Sequence, residues 1–283
     1  VITLLGDNTT VWVGTDGAGL VSYDVITKKI VEINVAYPRL KTLYKDAVGD
    51  LWVGVRGGLN KINLQNNRFQ KYEYDSNDQL IAPNGDIHAL VVDSEGFIWS
   101  GSSVDGLKRI NRNNLETKTY LPDGSPGSIS SNRISFLFID SKENIWIGTY
   151  DGLNRFDKNT ETFKVFRNDG SPNSISSGRI NVIYEDSQGN LWVGTEKGLN
   201  RKSAESDDFK VYQHDPSDPN SLSSSNIFAI NEDKEGVFWI GFASRGFDRV
   251  EFSTNTYKHY FYDANDPNTL SNDRVMHFYD NGK

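Results

Sequence analysis

Four arginines, Arg39, Arg133, Arg179 and Arg274, stand at one matching position of a unit that recurs about every 47 residues. A guanidinium presents a planar fork of N–H donors, so a row of them suits the capture of an oxygen-rich ligand bearing hydroxyls or carboxylates. Asp86 and Asn226 hold the same place in two other units. A second group, Asp16, Arg56, Ser103, Tyr150, Glu196 and Arg245, falls in short loops of the same units. Recurrence at one position also suits a purely architectural task, in which each arginine ties down a neighbouring backbone or carboxylate. Residues that differ from unit to unit are the better ligand candidates. On that ground Arg56, Tyr150 and Arg245 lead, with Arg133, Arg179 and Glu196 beside them.

Catalytic chemistry finds less support. The histidines His88, His214, His259 and His277 fall in different units, and none has the spacing of a metal-binding pair. The absence of cysteine excludes disulfides, thiolate metal sites and a thiol nucleophile together. There are 38 acidic side chains, but no spacing selects the two opposed carboxylates that a glycosidase needs. Acidic linkers such as Asp215-Pro216-Ser217-Asp218 lack the alternating ligands and closing glutamate of a calcium loop, and read as solvated turns. No cofactor and no metal is expected. A formal charge of −8 over 283 residues argues against nucleic acid as a partner. No apolar run reaches the roughly 18 residues of a membrane helix, so no membrane segment is expected in this chain.

The elements that must position these residues are visible in the tryptophans. Trp12, Trp52, Trp99, Trp146, Trp192 and Trp239 are spaced by 40, 47, 47, 46 and 47 residues, each in a context such as Leu191-Trp192-Val193-Gly194. Within one unit, Arg179 to Glu185 is strand-like, and Asp186-Ser187-Gln188-Gly189-Asn190 is a turn cluster. Leu191–Thr195, Leu199–Lys202 and Phe209–Tyr212 follow as three more strands. Four short strands per 40–50 residues is the blade pattern of a β-propeller. The tryptophans lie mid-strand in apolar company and are expected in the core rather than on a ligand platform. The fold expected is all-β: a propeller with six readable blades, at about 1–38, 39–85, 86–132, 133–178, 179–225 and 226–273. The run Arg274-Val275-Met276-His277-Phe278-Tyr279 is expected to open a seventh blade, with a seven-bladed parent ring. In this geometry the loops after second and fourth strands share the channel mouth, where the arginines sit.

The units Gly148-Thr149-Tyr150-Asp151-Gly152-Leu153-Asn154-Arg155-Phe156-Asp157 and Gly194-Thr195-Glu196-Lys197-Gly198-Leu199-Asn200-Arg201 resemble the two-component regulator propeller repeat. The linkers Pro172-Asn173-Ser174-Ile175-Ser176-Ser177 and Pro219-Asn220-Ser221-Leu222-Ser223-Ser224 follow the same pattern. Val55-Arg56-Gly57-Gly58 and the stretch from Gly241 to Phe247 depart from it. The resemblance implies the periplasmic sensor region of a Bacteroidetes hybrid two-component system, anchored in the inner membrane. It implies a non-catalytic module that recognises an oligosaccharide and signals to a histidine kinase. A second propeller and an immunoglobulin-like domain are implied as partners within the parent chain, and the parent is expected to be a homodimer. A carbohydrate-active lyase or hydrolase and a protein-interaction scaffold remain alternatives, because one fold serves many functions.

Overall fold

The structure is a computed structural model and describes residues 3–6, 9–33, 35, 39–55, 58–64, 68–72 and 87–279. Arg56 and Asp86 lie outside the described residues. The described residues contain strands and turns and no helix. Six four-stranded antiparallel sheets follow one another along the chain, spanning 3–33, 40–72, 87–120, 134–166, 180–212 and 227–260. This is the blade succession of a β-propeller. In each sheet the strands pair in chain order.

The fifth blade shows why the sequence folds this way. Its strands are Ile180–Glu185, Leu191–Thr195, Leu199–Lys202 and Phe209–Tyr212. The second strand is buried throughout because both of its faces are covered, and its run of Leu, Trp, Val and Gly is correspondingly apolar. Gly189, at φ +77°, closes the turn between the first two strands in a backbone region that side chains resist.

The acid opening that turn does more than solvate it. Asp186 Oδ1 accepts the backbone N–H groups of Gln188 and Asn190 at 3.0 and 2.7 Å, while Oδ2 accepts the indole N–H of Trp192 at 2.8 Å. The same indole bond joins Trp52 to Asp46, Trp99 to Asp93, Trp146 to Asp140 and Trp239 to Asp233 at 2.8–2.9 Å. The expected burial of the tryptophans holds for five, which are 1–4 % exposed, and Trp239 is half-buried. Burying about 200 Å² per ring at roughly 25 cal/mol per Å² contributes about 5 kcal/mol gross for each.

The chain divides into two compact units, Val1–Thr149 with Asn154–Lys164, and Tyr150–Leu153 with Val165–Lys283. In the first, Trp52 packs with Leu59, Ile87, Leu90, Ile98 and Ile110, joining the second blade to the third. In the second, Trp192 meets Phe238 and Phe252 of the sixth blade, each with ring centroids 4.7 Å away. Blades also meet through a glycine on the second strand. A methyl group placed on Gly194 would lie 2.8 Å from Ile227 Cγ2, and one on Gly54 2.8 Å from Ile87 Cγ2.

The segment expected to open a seventh blade forms no strand. Residues 274–279 carry no ladder. Val275 nevertheless donates its N–H to Phe242 O at 3.0 Å. It packs on Gly241 as Ile227 packs on Gly194.

Candidate ligand-binding face

Loops that follow second strands meet the linkers that enter the next blade. Gly152 N–H donates to Gly178 O at 2.7 Å, and Gly246 N–H to Asp273 O at 2.8 Å. In the first unit Gly106 N–H donates to Asn132 O at 3.0 Å. The two sets of loops therefore do share one face within each unit. At the blade entrance, the backbone N–H of Arg133 bonds Ser131 Oγ, that of Arg179 bonds Ser177 Oγ, and that of Arg274 bonds Asn272 Oδ1. These short polar caps turn the linker into the strand.

Three of the sequence-derived candidates come together in the second unit. The Arg179 guanidinium carbon lies 4.7 Å from the Tyr150 ring centroid. Its Nη1 is 3.9 Å from Glu196 Oε2, and Ser177 Oγ donates to Glu196 Oε1 at 3.3 Å. Both charged side chains are more than two-fifths exposed, so the cluster is a polar surface with an aromatic face. Arg133 lies in the first unit. There Arg39 Nε is 3.8 Å from Asp16 Oδ1, the architectural pairing weighed against a ligand role.

Arg245 lies apart from that cluster, on a groove of about 530 Å³ beside the linker into the sixth blade. Phe261, Tyr262, Asp215 and His259 also line it. His259 was among the scattered histidines, yet it sits opposite Asp248 on the neighbouring strand. Its Nδ1 is 2.7 Å from Asp248 Oδ1, and its Nε2 is 3.1 Å from Pro219 O. Both partners are acceptors, which favours the doubly protonated ring. Burial works against that charge, but the hydrogen bonds to Asp248 and Pro219 O prevail and hold the pKa above its ordinary value.

Asp248 is fully buried. Its carboxylate also accepts Ser223 N–H at 2.7 Å and the Ser223 hydroxyl. The fourth and fifth blades make this linker contact with Asn154 and Asn200, which accept Ser130 N–H and Ser176 N–H at 2.9 and 2.7 Å. The sixth blade thus replaces a neutral amide with a carboxylate and adds a histidine. A nucleophilic serine needs the imidazole nitrogen opposite the carboxylate. Ser223 Oγ instead lies 2.8 Å from the same Nδ1 that faces Asp248. The trio fastens a linker and does not activate a hydroxyl. Aligning Asp248 with Asn154 and Asn200 is the sequence signal that exposes it. Among the described residues no group of three or more potential metal ligands occurs.

Residues 128–151, 174–197 and 221–243 match the two-component regulator propeller model. Each match begins in the linker, crosses the first strand and the aspartate turn, and ends at or near the loop after the second strand. These three stretches are similar to two-component regulator propeller repeats. The chain carrying the repeats is similar to histidine kinase P4 of Formosa agariphila, at 29% identity over 158 residues, 49% of this chain and 11% of the kinase. It is also similar to the extracellular domain of a hybrid two-component system from B. thetaiotaomicron. That likeness has a TM-score of 0.75 and 25% identity, over 92% of this chain and 34% of that domain. The chain therefore spans about a third of that extracellular domain. Virginiamycin B lyase from Staphylococcus aureus, with TM-score 0.67 and 15% identity over 91% of this chain and 82% of the lyase, shares the propeller fold alone. Among the described residues no helix is long and apolar enough to cross a membrane.

Proposed function

We propose that this propeller is a non-catalytic sensor module of a hybrid two-component regulator, recognising an oligosaccharide outside the inner membrane and biasing a histidine kinase. The observation that carries this reading is the likeness, along 92% of the chain, to the extracellular domain of such a system. The engagement of His259, Asp248 and Ser223 in linker anchoring supports binding over catalysis. In this reading the module belongs to a seven-bladed ring in the periplasm. A second propeller and an immunoglobulin-like domain adjoin it, in a homodimeric parent. Ligand would act by favouring one arrangement of these parts over another.

The test uses the intact parent reconstituted in vesicles, with autophosphorylation followed as defined oligosaccharides are added on the propeller side. A change in kinase rate with one glycan class is the expected result. New reducing ends or unsaturated uronates in the glycan would move the assignment to a carbohydrate-active enzyme. A rate that responds only to a protein partner would move it to an interaction scaffold.

A further inference from the structure

The sixth blade breaks a pairing that its neighbours keep. In the fourth blade, Asp151 in the loop after the second strand pairs with Arg167 in the outgoing linker, Oδ2 to Nε 3.2 Å. In the fifth, Gln213 Nε2 donates to Lys197 O at 2.7 Å. The corresponding residues of the sixth blade are Arg245 and Phe261. Arg245 has no hydrogen bond or ion pair among the described residues, and Phe261 is 57 % exposed.

One residue further on, the difference repeats. Asn168 Nδ2 donates to Ile175 O at 2.9 Å, and His214 Nδ1 faces Leu222 O at 2.6 Å, so both tie their linker down. Tyr262 takes that place in the sixth blade, and it is 48 % exposed with only its backbone N–H engaged, by Asp273 Oδ1 at 2.6 Å. Two aromatic rings and one guanidinium are therefore left without the contacts their counterparts make. All three line the groove of about 530 Å³, a volume within the roughly 300–1,000 Å³ of small-ligand sites.

We infer that this groove holds a neutral oligosaccharide, one without uronate or sulfate groups. The inference rests on the oligosaccharide reading above and narrows it. The groove is also lined by Asp215, Asp218 and Asp273. Each has Oδ1 engaged by a backbone N–H, from Ser217 at 2.9 Å, Asn220 at 2.8 Å and Tyr262 at 2.6 Å. Their carboxylates still have lone pairs for sugar hydroxyls, which are donors. Arg245 donates to hydroxyl and ring oxygens, and the C–H face of a pyranose covers Phe261 or Tyr262. A polyanionic chain would meet three carboxylates offset by the Arg245 guanidinium, the charge of His259 being matched already by buried Asp248, so like charges oppose it.

The test is calorimetric titration of the full 283-residue chain. Neutral gluco-, xylo-, manno- and arabino-oligosaccharides are compared with uronate and sulfated oligosaccharides of matched length. Saturable binding of a neutral class is expected, weakened about tenfold or more by Arg245→Gln and by Phe261→Ala, with Tyr262→Ala as the second aromatic variant. Thermal melting of each variant verifies that it folds. Binding of acidic glycans alone would overturn the inference and leave the sensor reading standing. Neutral binding unaffected by all three substitutions would also overturn it, by placing the site elsewhere. Silence toward every glycan would remove the oligosaccharide reading itself, and this inference with it.

Discussion

Trp192 donates its indole N–H to Asp186 Oδ2 at 2.8 Å, and that one carboxylate also organises the turn six residues upstream through Oδ1. Asp186→Ala strands the indole donor and the Asn190 N–H in a buried place and takes the acceptor from the half-buried Gln188 N–H. The expected loss is on the order of 3 kcal/mol, read from chemical denaturation. A loss below about 1 kcal/mol would mean that water replaces the carboxylate.

Gly194→Ala tests the contact between blades. The added methyl group meets Val182 Cγ1 at 2.6 Å and Ile227 Cγ2 at 2.8 Å. Overpacking of this kind costs about 1–3 kcal/mol. Combining it with Ile227→Ala should cost less than the two changes summed, because the second opens room for the first. Strict additivity in the double-mutant cycle would refute a direct contact.

The His259–Asp248 pair gives stability a pH dependence of definite sign. The folded pKa of His259 is raised, burial opposing the shift and the Asp248 and Pro219 hydrogen bonds driving it. Its stabilisation is therefore complete below the unfolded value of about 6.5 and fades as pH rises through the folded value. The melting-temperature gap between the native chain and His259→Gln should narrow as pH rises above about 6.5 and through the raised folded value. A gap that widens with pH would show that His259 is bound neutral.

Tyr150 and Arg179 are expected to matter little for folding. A guanidinium over an exposed ring contributes about 0.5–1 kcal/mol. Tyr150→Ala, Arg179→Ala and the double variant should give a coupling energy no larger than that in a denaturation cycle. A coupling of several kcal/mol would make the pair an architectural fastening instead of a surface open to ligand.

The strands were legible because their signal is local and repeated. Leu191–Thr195, Leu199–Lys202 and Phe209–Tyr212 stand where the alternation and turn residues place them, and only Arg179 drops out of the first strand. The aspartate six residues before each of five tryptophans was equally visible, but in the sequence it is only one member of a turn cluster, because indole burial is a tertiary fact. His259 looked isolated for a related reason. Its partner Asp248 is eleven positions away and becomes its direct neighbour only when the third and fourth strands are set in register. At the loop face, Tyr150, Arg179 and Glu196 were named as separate candidates, and only the fold joins them into one cluster. The stretch at 274–279 has the composition of a strand and forms none, because strand composition is local and a ladder is not.

The glycine and branched side chain that meet between blades form a joint with a direction. One flank of a blade carries the notch, as at Gly54, Gly101, Gly194 and Gly241, and the knob comes from the next blade, as at Ile87, Ile134 and Ile227, or from the segment after the sixth blade, as at Val275. Such a joint cannot pair like with like, so two blades reversed end for end do not fit. It is also indifferent to which blade it joins, since notch and knob are nearly the same each time. Whole blades can therefore be duplicated or lost by recombination without redesigning the seam, while the loops they carry diverge freely. The sixth blade, with a standard notch at Gly241 and an unusual loop at Arg245, shows both halves of that arrangement in a single module.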